Sequence, residues 1–170
     1  RVDHGVVNCR VAAQGANIQV DFSLKPEADN PLPLTYKAVG KWKNDAFTAQ
    51  GRTGGVLSFS GHSDTPFPVE INATAGKTSL KAKGTVTDLA ELAGIDGTFD
   101  LQGRNLDELY RLLGVVLPST PPYKLKGKLD KHGKLWAVSQ LQGVLGSSDI
   151  SGALNYDQSD KIGLLTGKVH

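Results

Sequence analysis

The sequence has 170 residues, 39% of them hydrophobic and 21% charged, with 19 Lys and Arg against 17 Asp and Glu. So even and scattered a balance excludes the clustered basic patch of a nucleic-acid-binding module, and no apolar run approaches the ~20 residues of a membrane-spanning helix. The single cysteine, Cys9, excludes an internal disulfide or a thiolate metal site, and a chain with no methionine and no signal peptide before Arg1 reads as a fragment or processed product of a longer protein.

Along the chain, period-two alternation dominates. Ile18, Val20, Phe22 and Leu24 share one face of a predicted strand, with Asn17, Gln19, Asp21 and Ser23 on the other. Pro26 and the Asn30-Pro31-Leu32-Pro33 stretch end this first meander, and Ser63 to Pro68 ends the second. Val69, Ile71, Ala73 and Ala75 then alternate with Glu70, Asn72 and Thr74, and Leu80, Ala82 and Val86 with Lys81, Lys83, Thr85 and Thr87. Ile150, Leu154 and Tyr156 repeat the pattern near the end. One wet face and one dry face predict antiparallel strands covered on one side. Turns are expected at Lys43-Asn44-Asp45, Gly76-Lys77 and Asp130-Lys131-His132-Gly133. No stretch reads as a flexible linker, so residues 1–170 are expected to form one β-rich unit.

Two segments break the β pattern. Asp88 to Gly94 reads as a turn or two of helix. Leu106, Leu109, Tyr110 and Leu113 then fall at i, i+3, i+4 and i+7, one face of a helix over 105–113. Asn105 is placed to cap it, Asp107 and Glu108 suit its positive end, and Gly114 with Pro118, Pro121 and Pro122 stops it.

A weak repeat of apolar, any, apolar, any, Gly, any, apolar runs through the strands. It appears at Tyr36–Trp42, Leu80–Val86 and Tyr123–Leu129, with partial copies from Phe99, Ile150 and Leu165. The glycine falls on the apolar face, which predicts a bend or the close approach of another group at the same place in successive strands. Two architectures fit: a long sheet curled the same way strand after strand, or a compact β-sandwich with ordinary bulges.

No catalytic constellation is found. Gly76-Lys77-Thr78 lacks the upstream glycine of a phosphate-binding loop, since that position is Ile71. The serines of Gly146-Ser147-Ser148-Asp149 do not form a hydrolase elbow. His4, His62, His132 and His170 lack metal-ligand spacing, and Asp107-Glu108 is explained by the helix dipole. The sequon Asn72-Ala73-Thr74 lies within a predicted strand. A non-enzymatic protein without cofactor or metal is expected.

The last hundred residues carry a combination of motifs. These are Pro66-Phe67-Pro68-Val69, Ala75-Gly76-Lys77-Thr78, Lys83-Gly84-Thr85-Val86 and Gly103-Arg104-Asn105-Leu106, the last leading into Leu109-Tyr110-Arg111-Leu112-Leu113-Gly114. They are followed by Leu117-Pro118-Ser119-Thr120-Pro121-Pro122-Tyr123, Leu125-Lys126-Gly127, Trp136, Leu141-Gln142-Gly143 and Gly146 to Gly152. In this combination the chain resembles the AsmA-like family of Gram-negative envelope proteins, relatives of the TamB-like proteins. The resemblance implies a periplasmic chain held in the inner membrane by a helix outside this segment. It also implies an elongated, taco-like sheet with an apolar inner groove, serving phospholipid transport between membranes or outer-membrane assembly. On that reading Ile18, Val20, Phe22, Leu80, Ala82, Phe99, Leu101, Leu125 and Leu154 line the groove, with phospholipid as partner, and Leu106, Leu109, Tyr110 and Leu113 plug it. The same nine residues would also suit an ordinary core, and the chain a periplasmic structural or protein-interaction module that binds no lipid.

Overall fold

The computed structural model describes residues 4–11, 16–25, 30–42, 45–55, 65–87, 94–109, 117–159 and 163–170. Among them are eleven strands: β1 (His4–Val11), β2 (Ala16–Leu24), β3 (Leu34–Trp42), β4 (Asp45–Thr53), β5 (Phe67–Ala75) and β6 (Thr78–Thr87), then β7 (Gly94–Gly103), β8 (Tyr123–His132), β9 (Leu135–Leu145), β10 (Ser148–Asp157) and β11 (Leu164–Val169). All belong to one open sheet in which spatial order equals chain order, and each strand pairs antiparallel with its chain neighbours. A sandwich would divide these strands between two sheets. The chain instead forms a single elongated, curved one.

Local chemistry explains the meander. Gly76, Gly133 and Gly146 adopt φ values of 58°, 56° and 64°, each as the first residue of a two-residue turn, so the strands reverse with a twist that suits a hairpin. The second of these lies later than the sequence suggests. Asp130, Lys131 and His132 belong to β8 rather than to a turn, and Gly133-Lys134 makes the reversal. The strand continues because Lys131 pairs with Trp136 across the hairpin, its ammonium 5.2 Å from the ring centroid, a cation–π contact that favours the extended register. Gly94 likewise opens β7 rather than closing a helix. The helix expected over Asp88 to Gly94 otherwise lies outside the described residues.

The cross-strand register puts the apolar set on one face. One row runs Val20, Ala38, Ala49, Ala73, Leu80, Leu101, Leu125, Gly143 and Ile150 across nine strands. Aromatic residues on this face stand opposite glycines: Phe22 faces Gly5, Tyr36 faces Gly51, Phe99 faces Gly127 and Tyr123 faces Gly103. Each ring lies over its glycine, filling the space a side chain would take. The Tyr36 hydroxyl reaches on to donate to the Glu70 carbonyl at 3.2 Å, and burial pushes its pKa up to about 12.

Bends are built in as well. Gly84 faces Gly97, and the two backbones come closer than any Cβ would allow. On β9 one extra residue is inserted. Lys126 pairs with Gln142 and Lys128 with Ser139, while Gly152 pairs with Leu141 and Leu154 with Val138. Gln140, at φ 52°, forms this bulge, which raises local twist and re-aims the side chains beside it.

Candidate functional site

The nine apolar positions singled out in the sequence all lie on the same face, but the structure divides them into two groups. Leu125 is buried with Leu109, Tyr123 and Leu141, and Phe99, Leu101 and Leu154 pack against that cluster. Ile18, Val20, Phe22, Leu80 and Ala82 stand outside it, each half-buried. The first group, on β7, β8 and β10, packs around the buried Leu125, with Phe99, Leu101 and Leu154 themselves half-buried. The second, on β2 and β6, leaves apolar side chains partly open on the same surface.

The first group is covered by the described parts of the segment joining β7 to β8, residues 104–109 and 117–122. Leu106–Glu108 forms a 3-10 turn, and Leu106, Leu109 and Leu117 supply the non-strand members of the cluster. Leu109 is 3% exposed. Tyr110 and Leu113 lie outside the described residues, so the expected helical face is seen only in its first half.

Asn105 holds this segment in place. Its Oδ1 accepts from Asp107 N at 3.1 Å, capping the turn, and from Thr120 N at 2.8 Å. Its Nδ2 donates to Ser119 Oγ at 2.8 Å, while Leu106 N donates to Thr120 Oγ1 at 3.0 Å. The proline stretch is tied at its far end too, where Gly146 N donates to Pro122 O at 2.8 Å. The Gly-Arg-Asn-Leu and Leu-Pro-Ser-Thr-Pro-Pro-Tyr motifs are therefore two halves of one clasp, and it fastens the cover to the β9–β10 turn. Asn105→Ala removes one cap and two further hydrogen bonds and is expected to cost about 2 kcal/mol, read as a lower urea midpoint at unchanged m-value. Asn105→Asp keeps the acceptor and should lose less than half as much.

Beneath the clasp, Tyr123 is 4% exposed, and its hydroxyl has no hydrogen-bond partner. Burial raises its pKa. The nearby Thr78 hydroxyl, out of bonding geometry, opposes the shift and Glu108 adds to it. The far end of the apolar face is closed by Lys131, 8% exposed against Trp136.

The opposite face is polar. Arg52 and Glu70 pair across β4 and β5 at 2.6 Å and Lys128 reaches Asp96 at 3.3 Å; both are solvent-screened and worth under ~1 kcal/mol each. Among the described residues no His, Cys, Asp and Glu side chains gather in threes where a metal could sit, and no helix is long and apolar enough to cross a membrane.

Comparison with known proteins adds one relative. The chain is 34% identical over 125 residues to the AsmA family protein YhjG of Escherichia coli (strain K12), an alignment that takes in 71% of this chain and 18% of the relative's length. No family model matches, and no solved structure does. With more than two thirds of its length aligned at that identity, the chain belongs to the AsmA family.

Proposed function

We propose that this chain is a non-enzymatic section of a Gram-negative envelope protein, and that its apolar sheet face carries phospholipid acyl chains through the periplasm in support of outer-membrane assembly. The observation that supports this reading most is the half-buried set on β2 and β6. Ile18, Val20, Phe22, Leu80 and Ala82 continue the rows of the packed core beyond the group that the clasped segment covers. Each acyl CH₂ moved from water onto such a surface gains ~0.8 kcal/mol. The head group can stay in water, so no charged lock is required. In the full-length protein a segment outside this one would anchor the sheet in the inner membrane.

The test is native mass spectrometry with lipid extraction on protein purified from an envelope-bearing bacterial host. Co-purifying phospholipid is expected, lost in the Val20→Asp/Leu80→Asp double variant, whose strand signal in circular dichroism stays native. A folded, lipid-free protein that also refuses added phospholipid would sink the proposal.

One observation favours a second reading, a docking module. Of the large apolar side chains left exposed among the described residues, Val6, Val7, Leu164, Leu165 and Val169 lie on β1 and β11, the two edges of the sheet. Unprotected edges with apolar side chains are templates for strand addition. Concentration-dependent association in light scattering, abolished by Val7→Lys and Leu165→Lys, would support it.

A further inference from the structure

The polar face of the sheet is not flat. Strands β5 to β9 line an open trough of about 640 Å³, within the ~300–1,000 Å³ common for small-molecule sites. Four lysines, Lys81, Lys83, Lys126 and Lys128, face two carboxylates, Glu70 and Asp100. Glu70 is already engaged. It takes two hydrogen bonds from Arg52, at 3.1 and 2.6 Å. Asp100 stands in register between Lys81 and Lys126, and Lys128 is paired with Asp96 outside the trough. Four lysines against two carboxylates, one of them held by Arg52, leave positive charge in surplus in the trough, and lysine is a compact point charge well suited to a phosphate.

The rest of the lining matches hydroxyl groups rather than an apolar body. Asn72, Gln140, Gln142 and Thr98 offer donors and acceptors together. Ile71, Ala82 and Phe99 contribute at the floor, but their register positions belong to the opposite face. Gln140 supplies an independent observation. It holds φ 52°, a conformation that favours glycine, at the β9 bulge. The bulge turns the strand at the edge of the trough, and the residue there carries an amide.

We propose that the trough of β5 to β9 binds a small phosphorylated polyol, a sugar phosphate in chemical class. This site lies on the face opposite the lipid-carrying one and stands or falls independently of it.

The test titrates glucose 1-phosphate into the whole chain at low salt, followed by calorimetry and backbone amide shifts, with glucose, inorganic phosphate and phosphatidylglycerol-containing vesicles as comparators. Saturable binding of glucose 1-phosphate is expected, with shifts confined to β5–β9, weaker binding of inorganic phosphate and none of glucose. Lys83→Gln with Lys126→Gln should weaken it about tenfold, as the loss of a charged contact does. Gln140→Gly relaxes the backbone and so folds at least as well, yet should bind several-fold more weakly. No saturation, binding equal to that of inorganic phosphate, binding to vesicles alone, or lysine and Gln140 variants that bind as wild type would each overturn the proposal.

Discussion

Gly84→Val is expected to destabilise the sheet by about 3 kcal/mol, at the upper end of what overpacking costs. A Cβ at this position would collide with the carbonyl oxygen of Asp96 and lie 2.5 Å from the Cα of Gly97. Both are backbone atoms of β7, so no side chain can swing aside, and relief requires opening the β6–β7 ladder where Gly84 and Gly97 face each other. The measurement is urea denaturation followed by circular dichroism. Gly55→Ala is the matched control, because a Cβ there meets nothing within 4 Å, and it should change stability by less than ~0.5 kcal/mol. A Gly84 variant as stable as the control would mean that the two backbones do not approach so closely in solution.

The second large effect is expected at the cover. Leu109→Ala removes most of a side chain that is 3% exposed and packed with Tyr123, Leu125 and Leu141. Buried leucine truncations cost about 2–5 kcal/mol depending on how far the site collapses. A value near 3 kcal/mol is expected, because the clasp at Asn105 holds the segment from sinking into the space. The same variant should bind a hydrophobic dye more strongly, as the apolar face beneath becomes accessible. A loss below ~0.5 kcal/mol would fit an exposed position instead.

The sequence makes some strands plain and hides others, for physical reasons. β2, β5, β6 and β10 are legible because their wet and dry faces differ sharply in polarity. β4 is not: its positions on the apolar face are Asp45, Phe47, Ala49, Gly51 and Thr53, too small and too polar to alternate visibly. β9 is hidden by its own bulge. Trp136 and Val138 share a phase that Leu141, Gly143 and Leu145 cannot continue, because the extra residue at Ser139-Gln140 shifts it by one. On β1, an edge strand, the adjacent exposed pair Val6-Val7 blurs any alternation.

The site was legible only in part. Alternation placed the nine candidate residues on a dry face, but only the packing shows that Leu125 is buried in a cluster with Leu109, Tyr123 and Leu141 while Val20 and Leu80 stand outside it. The proline motif stood out in the sequence as a stop for a helix. Its use as a hydrogen-bonded strap to Asn105 depends on side-chain geometry that spacing does not encode. The lysines of β6 and β8 read as an ordinary solvated face until pairing brings them into one hollow.

Because spatial order repeats chain order from β1 to β11, the fold is additive. At ~4.8 Å between neighbouring strands, each hairpin lengthens the sheet by about 10 Å along its curved surface without moving any existing contact. An inserted or deleted pair of strands also keeps every downstream residue on its own face. The reach of such a sheet is thus a count of hairpins, adjustable in evolution or by engineering in even steps, with the wet and dry sides kept in phase throughout.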